Sequence, residues 1–261
     1  MKLNDLPTLP ARNAATDAAW QRVYAEACAP YRSLRQGPFR WSWHWARGKL
    51  AHDPVFRSML ERGDLRGKMR VVDIGCGQGL VAALLNACAS AQPWWPAEWP
   101  PAPSATAYTG VELMQRDADR ARSALQQLAF APGFICGDMR STPLPACDLV
   151  VILDVLHYVD HAAQQAVLQR VHDALAQSAG RLLLRVGDAT ARRRFAVSQW
   201  VDRIVTAVRG HRAAPTWGRP LNDWKALLQS LGFVDIQMVP MSQGTPFANV
   251  LLVADLARNA R

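Results

Sequence analysis

Val71-Val72-Asp73-Ile74-Gly75-Cys76-Gly77-Gln78-Gly79 is the stretch that decides the fold. An apolar run of strand length ends on three alternating glycines, and Leu80 to Cys88 then takes up an apolar helical pattern. Glycine has no Cβ, so such a turn bends tightly and lets the main chain approach a ligand. A plain tight connection has the same spacing, so the turn by itself identifies no ligand. Downstream the rhythm repeats. Strands are predicted at 107–111, 134–135, 149–153 and 181–186, and helices at 115–129, 161–177 and 221–231, the last stopped by Gly232. Strands alternating with helices of this length imply a doubly wound, mostly parallel sheet. Two final strands, 234–239 and 249–254, stand too close for a crossover helix and should pair antiparallel.

Upstream, Trp20, Val23, Tyr24 and Ala27 fall at helical spacing until Pro30. A second helical segment is predicted from about Phe39 to Leu60, restarted at Pro54, with Trp41, Trp43 and Trp45 inside it. Residues 1–69 therefore read as an N-terminal helical cap on a domain of residues 70–261. Residues 92–105, with five prolines and three tryptophans, interrupt the alternation and form an inserted loop. Its tryptophans either pack on the body, the favoured reading, or mark a protein contact.

Half of the 261 residues are hydrophobic and a fifth charged, which excludes a wholly disordered chain. No apolar run reaches the roughly 18 residues of a membrane-spanning helix. Met1 to Ala15 has no apolar core of a secretory signal. The five cysteines are odd in number and form no CxxC pair, so a reduced, cytoplasmic protein without structural zinc is expected. The net charge of +9 is concentrated: Tyr31–Arg70 holds ten basic residues against three acidic, and Thr190–Pro220 seven against one. Either an anionic partner or a solvated basic surface accounts for this.

The strand ends carry the chemistry. After the glycine turn, the second strand ends Gly110-Val111-Glu112 and the third is followed by Gly137-Asp138-Met139. The fourth runs into Asp154-Val155-Leu156-His157-Tyr158. In an open α/β sheet such ends border the ligand crevice. From about Arg70 to Ala254 the chain resembles the class I S-adenosylmethionine-dependent methyltransferases, through the Asp-Ile-Gly-Cys-Gly-Gln-Gly turn and the acid-tipped second strand. The resemblance implies a Rossmann-like doubly wound sheet of seven strands with an antiparallel C-terminal strand. It also implies S-adenosyl-L-methionine as cofactor and S-adenosyl-L-homocysteine as product.

By that resemblance Gly75, Cys76 and Gly77 meet the methionine part and Asp73 orients that end. Glu112, with Leu113 beside it, holds the ribose hydroxyls. Asp138 takes the adenine amine and Met139 faces the ring. The main-chain carbonyl of Leu153, or Asp154, receives the ammonium. Arg47 of the cap either pairs with the carboxylate or is a surface arginine. Gly79 follows Gly77 by two residues where a dinucleotide dehydrogenase would have three. The inserted loop lengthens the path from Gly79 to Glu112, so Glu112 rests on the strand reading. Asp117, inside a helix, is the poorer alternative.

His157 is the first candidate for a general base, with Asp154 or Asp188 orienting it; the alternative is a packing residue at a helix start. Asp154, His157 and Asp160 lack further oxygen ligands for magnesium, so no metal is expected. Trp41 and His44 of the cap, Tyr158, Arg185, and Thr245, Phe247 and Asn249 of the final hairpin are the candidate acceptor contacts. Trp41 also fits a core stripe with Trp45, and residues 188–220 form a basic substrate-side insertion. The cap and Ser-Gln-Gly-Thr-Pro-Phe-Ala-Asn-Val are similar to methyltransferases found with bacterial aryl-polyene pigment biosynthesis. That similarity implies an aromatic acceptor, free or on an acidic acyl carrier protein. Two other functions stay open. An RNA methyltransferase would explain the charge, but the chain shows neither an RNA-binding module nor an Asn-Pro-Pro-Tyr motif. A non-catalytic cofactor-binding module would bind the cofactor and methylate nothing.

Overall fold

Side chains that alternate along each strand divide the apolar residues between two layers. The structure, a computed structural model, describes residues 12–32, 40–187, 216–241 and 249–257. Seven strands form one sheet: β1 (Arg70–Ile74), β2 (Ala107–Glu112), β3 (Gly133–Cys136), β4 (Leu149–Leu153), β5 (Arg181–Gly187), β6 (Phe233–Pro240) and β7 (Asn249–Leu256). Their order is β3-β2-β1-β4-β5-β7-β6, and β7 alone runs opposite to the other six. The Rossmann-like fold and the C-terminal hairpin read from the sequence are thus present.

Val71, Leu149, Val151, Leu183, Leu251 and Val253 point into one apolar cluster, and Val72, Ile74, Val150, Ile152, Leu182 and Leu184 into the other. Helices α4 (Leu80–Ala89) and α5 (Gln115–Leu125) cover the first face, and α6 (His161–Leu175) and α7 (Leu221–Ser230) the second. Burial on both faces is why these strands read as continuous apolar runs. Helix α5 stops four residues before its predicted end, because the chain turns at Ala131 before Pro132 to enter β3.

The N-terminal helices join the first face. Helix α1 (Ala14–Cys28) opens on a reciprocal capping box of Asn13 and Thr16 and buries Trp20, Val23 and Ala27 in the cluster that holds α4. The predicted 39–60 segment is two helices, α2 (Trp41–His52) and α3 (Pro54–Glu61). Asp53 between them is extended, and its side chain accepts the Val55 N–H at 3.2 Å, capping α3 behind Pro54. Arg57 ties the cap together through Glu61 (2.6 Å) and Asp17 (2.7 Å). The Pro/Trp loop lies on the body. Trp99 is buried with Trp95 edge-on at 5.1 Å, Trp95 donates to the Pro100 carbonyl, and the Arg22 guanidinium lies over Trp94. No helix among the described residues is long and apolar enough to cross a membrane.

The chain passes from β1 to β2 and β3 on one side and then to β4 and β5 on the other. That reversal opens a crevice at the strand C-termini, where α/β sheets bind ligands. Register brings Ile74 beside Val111 and Ile152, Glu112 beside Cys136, Leu153 beside Arg185, and Gly187 beside Asn249.

Candidate active site

Gly75, Gly77 and Gly79 all have positive φ, the left-handed region that L side chains avoid. They differ in what surrounds them. A Cβ on Gly75 would stand 2.5 Å from Val155, and one on Gly79 would stand 2.6 Å from Leu125. Those two glycines close the turn against the protein. A Cβ on Gly77 would meet only the Trp45 indole, at 3.9 Å, so Gly77 faces open space under the cap. Cys76 between them is buried, and burial pushes its thiol pKa up.

Glu112 faces this turn. Its carboxylate accepts the Gly77 N–H at 2.8 Å and the Met114 N–H at 2.9 Å, so main-chain donors from the ends of β1 and β2 both hold it. The strand reading thus placed Glu112 beside the turn across the long insertion, whereas Asp117 is buried in α5 beside Arg120 and Gln78. Asp73, deeper in β1, is fully buried and accepts the Tyr108 hydroxyl at 2.6 Å. Burial pushes its carboxyl up to about 7; the Tyr108 hydrogen bond opposes this and the Glu112 charge adds to it. Tyr31 of the cap donates its hydroxyl to the Gln78 carbonyl at 2.9 Å, which pins the turn from above.

After β3, Asp138 grips Arg140 through both carboxylate oxygens, and that hydrogen-bonded pair holds its pKa below the usual carboxylate range. Met139 packs half-buried at the edge of the second apolar cluster, and its carbonyl accepts from Arg170. Leu113 is 63% exposed next to Glu112, an open apolar side chain beside the carboxylate.

The loop after β4 is held by charge. Asp154 follows Leu153 with φ +60, an uncommon conformation for a non-glycine residue. Its carboxylate is paired with Arg185 of β5. Arg185, expected to touch an acceptor, is instead 3% exposed and also pairs with Asp53 of the cap. The reason is positional: at 185 the side chain points to the face that the cap covers, where two carboxylates await it. His157 stands half-buried three residues after Asp154 with its ring 4.2 Å from that of Tyr158, and its carbonyl accepts the Trp217 N–H at 2.8 Å. Asp154 orients Arg185 in this structure, and Asp188 lies outside the described residues.

On the cap, Trp41 is 52% exposed and His44 is exposed with its ring against Trp43. Arg47 lies over the Trp43 ring at 4.5 Å and donates to the Tyr24 hydroxyl, so its guanidinium has partners within the cap. Asn249 begins β7 at the crevice edge, while Thr245, Phe247 and most of the 188–220 insertion lie outside the described residues. Sequence reasoning missed Trp45 and Asp53 as site residues. Trp45 was legible only as a helical stripe, and Asp53 carried no signal at all. No cluster of metal-binding side chains occurs among the described residues.

Residues 49–234 match the family model described as the O-methyltransferase domain. No curated protein matches the chain by sequence. Among solved structures it is similar to the magnesium protoporphyrin IX methyltransferase of Synechocystis PCC 6803 (18% identity over 94% of this chain and 96% of that one, TM-score 0.53). It is also similar to the mitomycin 7-O-methyltransferase (23%, 95% and 74%, TM-score 0.53). A third is the 1,6-didemethyltoxoflavin-N1-methyltransferase of Burkholderia thailandensis (18%, 97% and 95%, TM-score 0.55). At these identities the likeness is one of fold.

Proposed function

The chain belongs to the O-methyltransferase domain family, and from that premise we propose that it methylates a hydroxyl of a small aromatic acceptor, free or borne on an acyl carrier protein. The enzyme is an S-adenosylmethionine-dependent methyltransferase; the cofactor, when bound, supplies a methyl group on a positively charged sulfur. The observation that carries the acceptor reading is the row along one sheet edge. Glu112, Gly77, and then Asp154 and His157 follow one another there beneath a tryptophan-bearing cap.

The turn fits the cofactor. Gly77 leaves open space where a Cβ would intrude, and Glu112 is oriented in advance by two main-chain N–H groups. In this reading Gly75, Cys76 and Gly77 give the methionine part close access to main chain. Asp73 supports that end from below, and Glu112 accepts the ribose hydroxyls. Leu113 and Met139 flank the adenine, Asp138 accepts its amine, and the carbonyl of Leu153 or the carboxylate of Asp154 receives the ammonium. Arg47 stays with Tyr24 and Trp43 on the cap.

His157 accepts the proton of the acceptor hydroxyl as that oxygen becomes nucleophilic. Position supplies much of the remaining rate, by holding acceptor and donor in line. Trp41, His44, Tyr158 and Asn249 border the acceptor; Thr245 and Phe247, proposed with them from the sequence, lie outside the described residues. The flat faces of Trp41 and Tyr158 suit an aryl ring, and the resemblance to aryl-polyene methyltransferases read from the sequence points to the same acceptor.

Methyl-labelled S-adenosylmethionine incubated with hydroxybenzoyl acceptors, free and carrier-bound, and with RNA tests this reading. Label is expected on the phenolic oxygen. Label on RNA with none on the aryl compounds would overturn it, as would cofactor binding with no label on any acceptor. His157→Gln should lower kcat by about 10²- to 10⁴-fold while leaving S-adenosylhomocysteine affinity unchanged by calorimetry.

A further inference from the structure

Trp45, Lys49 and Asp53 are spaced i, i+4, i+8 along α2 and its closing residue, so they share one side of it. Trp45 meets the glycine turn after β1, and Asp53 meets Arg185 on β5. Eight residues of helix span about 12 Å. From β1 across β4 to β5 is two strand spacings, about 10 Å. Helix α2 therefore lies across the strand ends, one end on the cofactor turn and the other on β5.

What fastens its far end is a single buried guanidinium. Arg185 Nη2 stands 2.8 Å from Asp53 Oδ2 and Nε 2.8 Å from Asp154 Oδ1, with closer second contacts to each carboxylate. Burial opposes the charge on Asp53 and on Arg185. The mutual attraction prevails, holding Asp53 well below and Arg185 well above their usual ranges. The next residue after Asp154 is Val155, whose side chain occupies the space a Cβ on Gly75 would need. One cation thus links the cap, the loop after β4 and, through Val155, the glycine turn.

We propose that Arg185 is a positioning residue that docks α2 and sets the Asp154–Val155 corner against the glycine turn, so that cap docking and cofactor binding are coupled. The coupling to the cofactor rests on the site assigned above, whereas the docking does not. Removing one partner of a buried charge group leaves another charge buried and unpaired, which makes each member sensitive to substitution.

Hydrogen exchange read by mass spectrometry over residues 41–61 and 149–153, with and without S-adenosylhomocysteine, tests this alongside calorimetry. In Arg185→Met, exchange over 41–61 should rise at least tenfold while 149–153 stays within twofold, and S-adenosylhomocysteine should bind about tenfold more weakly. Arg185→Lys should recover part of that affinity, since it keeps the charge but cannot face two carboxylates at once. A purely structural role would instead speed exchange in both regions and leave the affinity of the folded protein intact. Should Arg185→Met not fold, Asp53→Asn decides alone: it keeps Arg185 paired with Asp154 and should still speed exchange over 41–61. Unchanged exchange over 41–61 in Asp53→Asn, or in a folded Arg185→Met, overturns the proposal. Faster cap exchange with unchanged S-adenosylhomocysteine affinity overturns the coupling and faults the cofactor placement, leaving the docking in place.

Discussion

The two halves of the crevice are built from different materials. On the β1–β2 side the contacts are mostly main chain: glycine φ angles, the Gly77 and Met114 N–H groups on Glu112, and the Gln78 carbonyl under Tyr31. On the β4–β5 side they are charges, with Arg185 bound to Asp154 and to Asp53, 31 and 132 residues away in sequence. A main-chain cradle depends on backbone shape and tolerates few side chains. A charge cluster depends on every partner arriving together, because each ion is costly to bury alone.

The sharpest way to break this contrast lies in the glycines. Gly75→Ala combines a positive φ with a 2.5 Å clash against Val155, and should cost about 2–5 kcal/mol of stability in urea unfolding. Gly77→Ala has the same φ problem without the clash. It should cost only about 1–2 kcal/mol and show its main effect in cofactor affinity. Equal stability losses for the two would mean that the turn is not divided into a packed and an open glycine.

Glu112→Ala removes the acceptor for two main-chain N–H groups and for the ribose in the proposed site. S-adenosylhomocysteine should bind about 10- to 100-fold more weakly by calorimetry, with Glu112→Gln intermediate. Unchanged affinity would move the ribose site elsewhere.

Asp73 sharpens the contrast through pH. Its carboxyl titrates near 7 when folded and near 3.8 when unfolded. The folded state therefore holds the extra proton between those values, and this contribution to stability, complete below pH 4, is lost as pH rises to 7. Asp73→Asn keeps an acceptor for Tyr108 and removes the titration. Its stability relative to wild type should rise by about 1.4 kcal/mol per pH unit across that window, read from urea midpoints at each pH. A flat difference would mean that Asp73 ionises as it does in water.

The smallest expected effect is that of Tyr31→Phe, which removes only the hydroxyl on the Gln78 carbonyl. About 1 kcal/mol of stability should go with it, along with a few-fold loss of S-adenosylhomocysteine affinity. A loss of affinity as large as that of Glu112→Ala would show that the cap side chain, and not the main chain, shapes the cofactor half.

The sequence by itself determined the sheet, the alternation of its faces, the glycine turn and the acid at the end of β2. All of these follow from local rules: strand and helix periods, the missing Cβ of glycine, and the place where an apolar run stops. It also read the Pro/Trp loop as an insertion, since proline excludes both helix and central strand. Tertiary structure alone decided what those ends meet. Asp53 carried no signal and Arg185 read as an acceptor contact, and nothing in their spacing joined them. They meet because β5 stands next to β4, two strands from the turn, and α2 happens to span that width. Charges pair across space and leave no period in the sequence, whereas backbone geometry is written residue by residue.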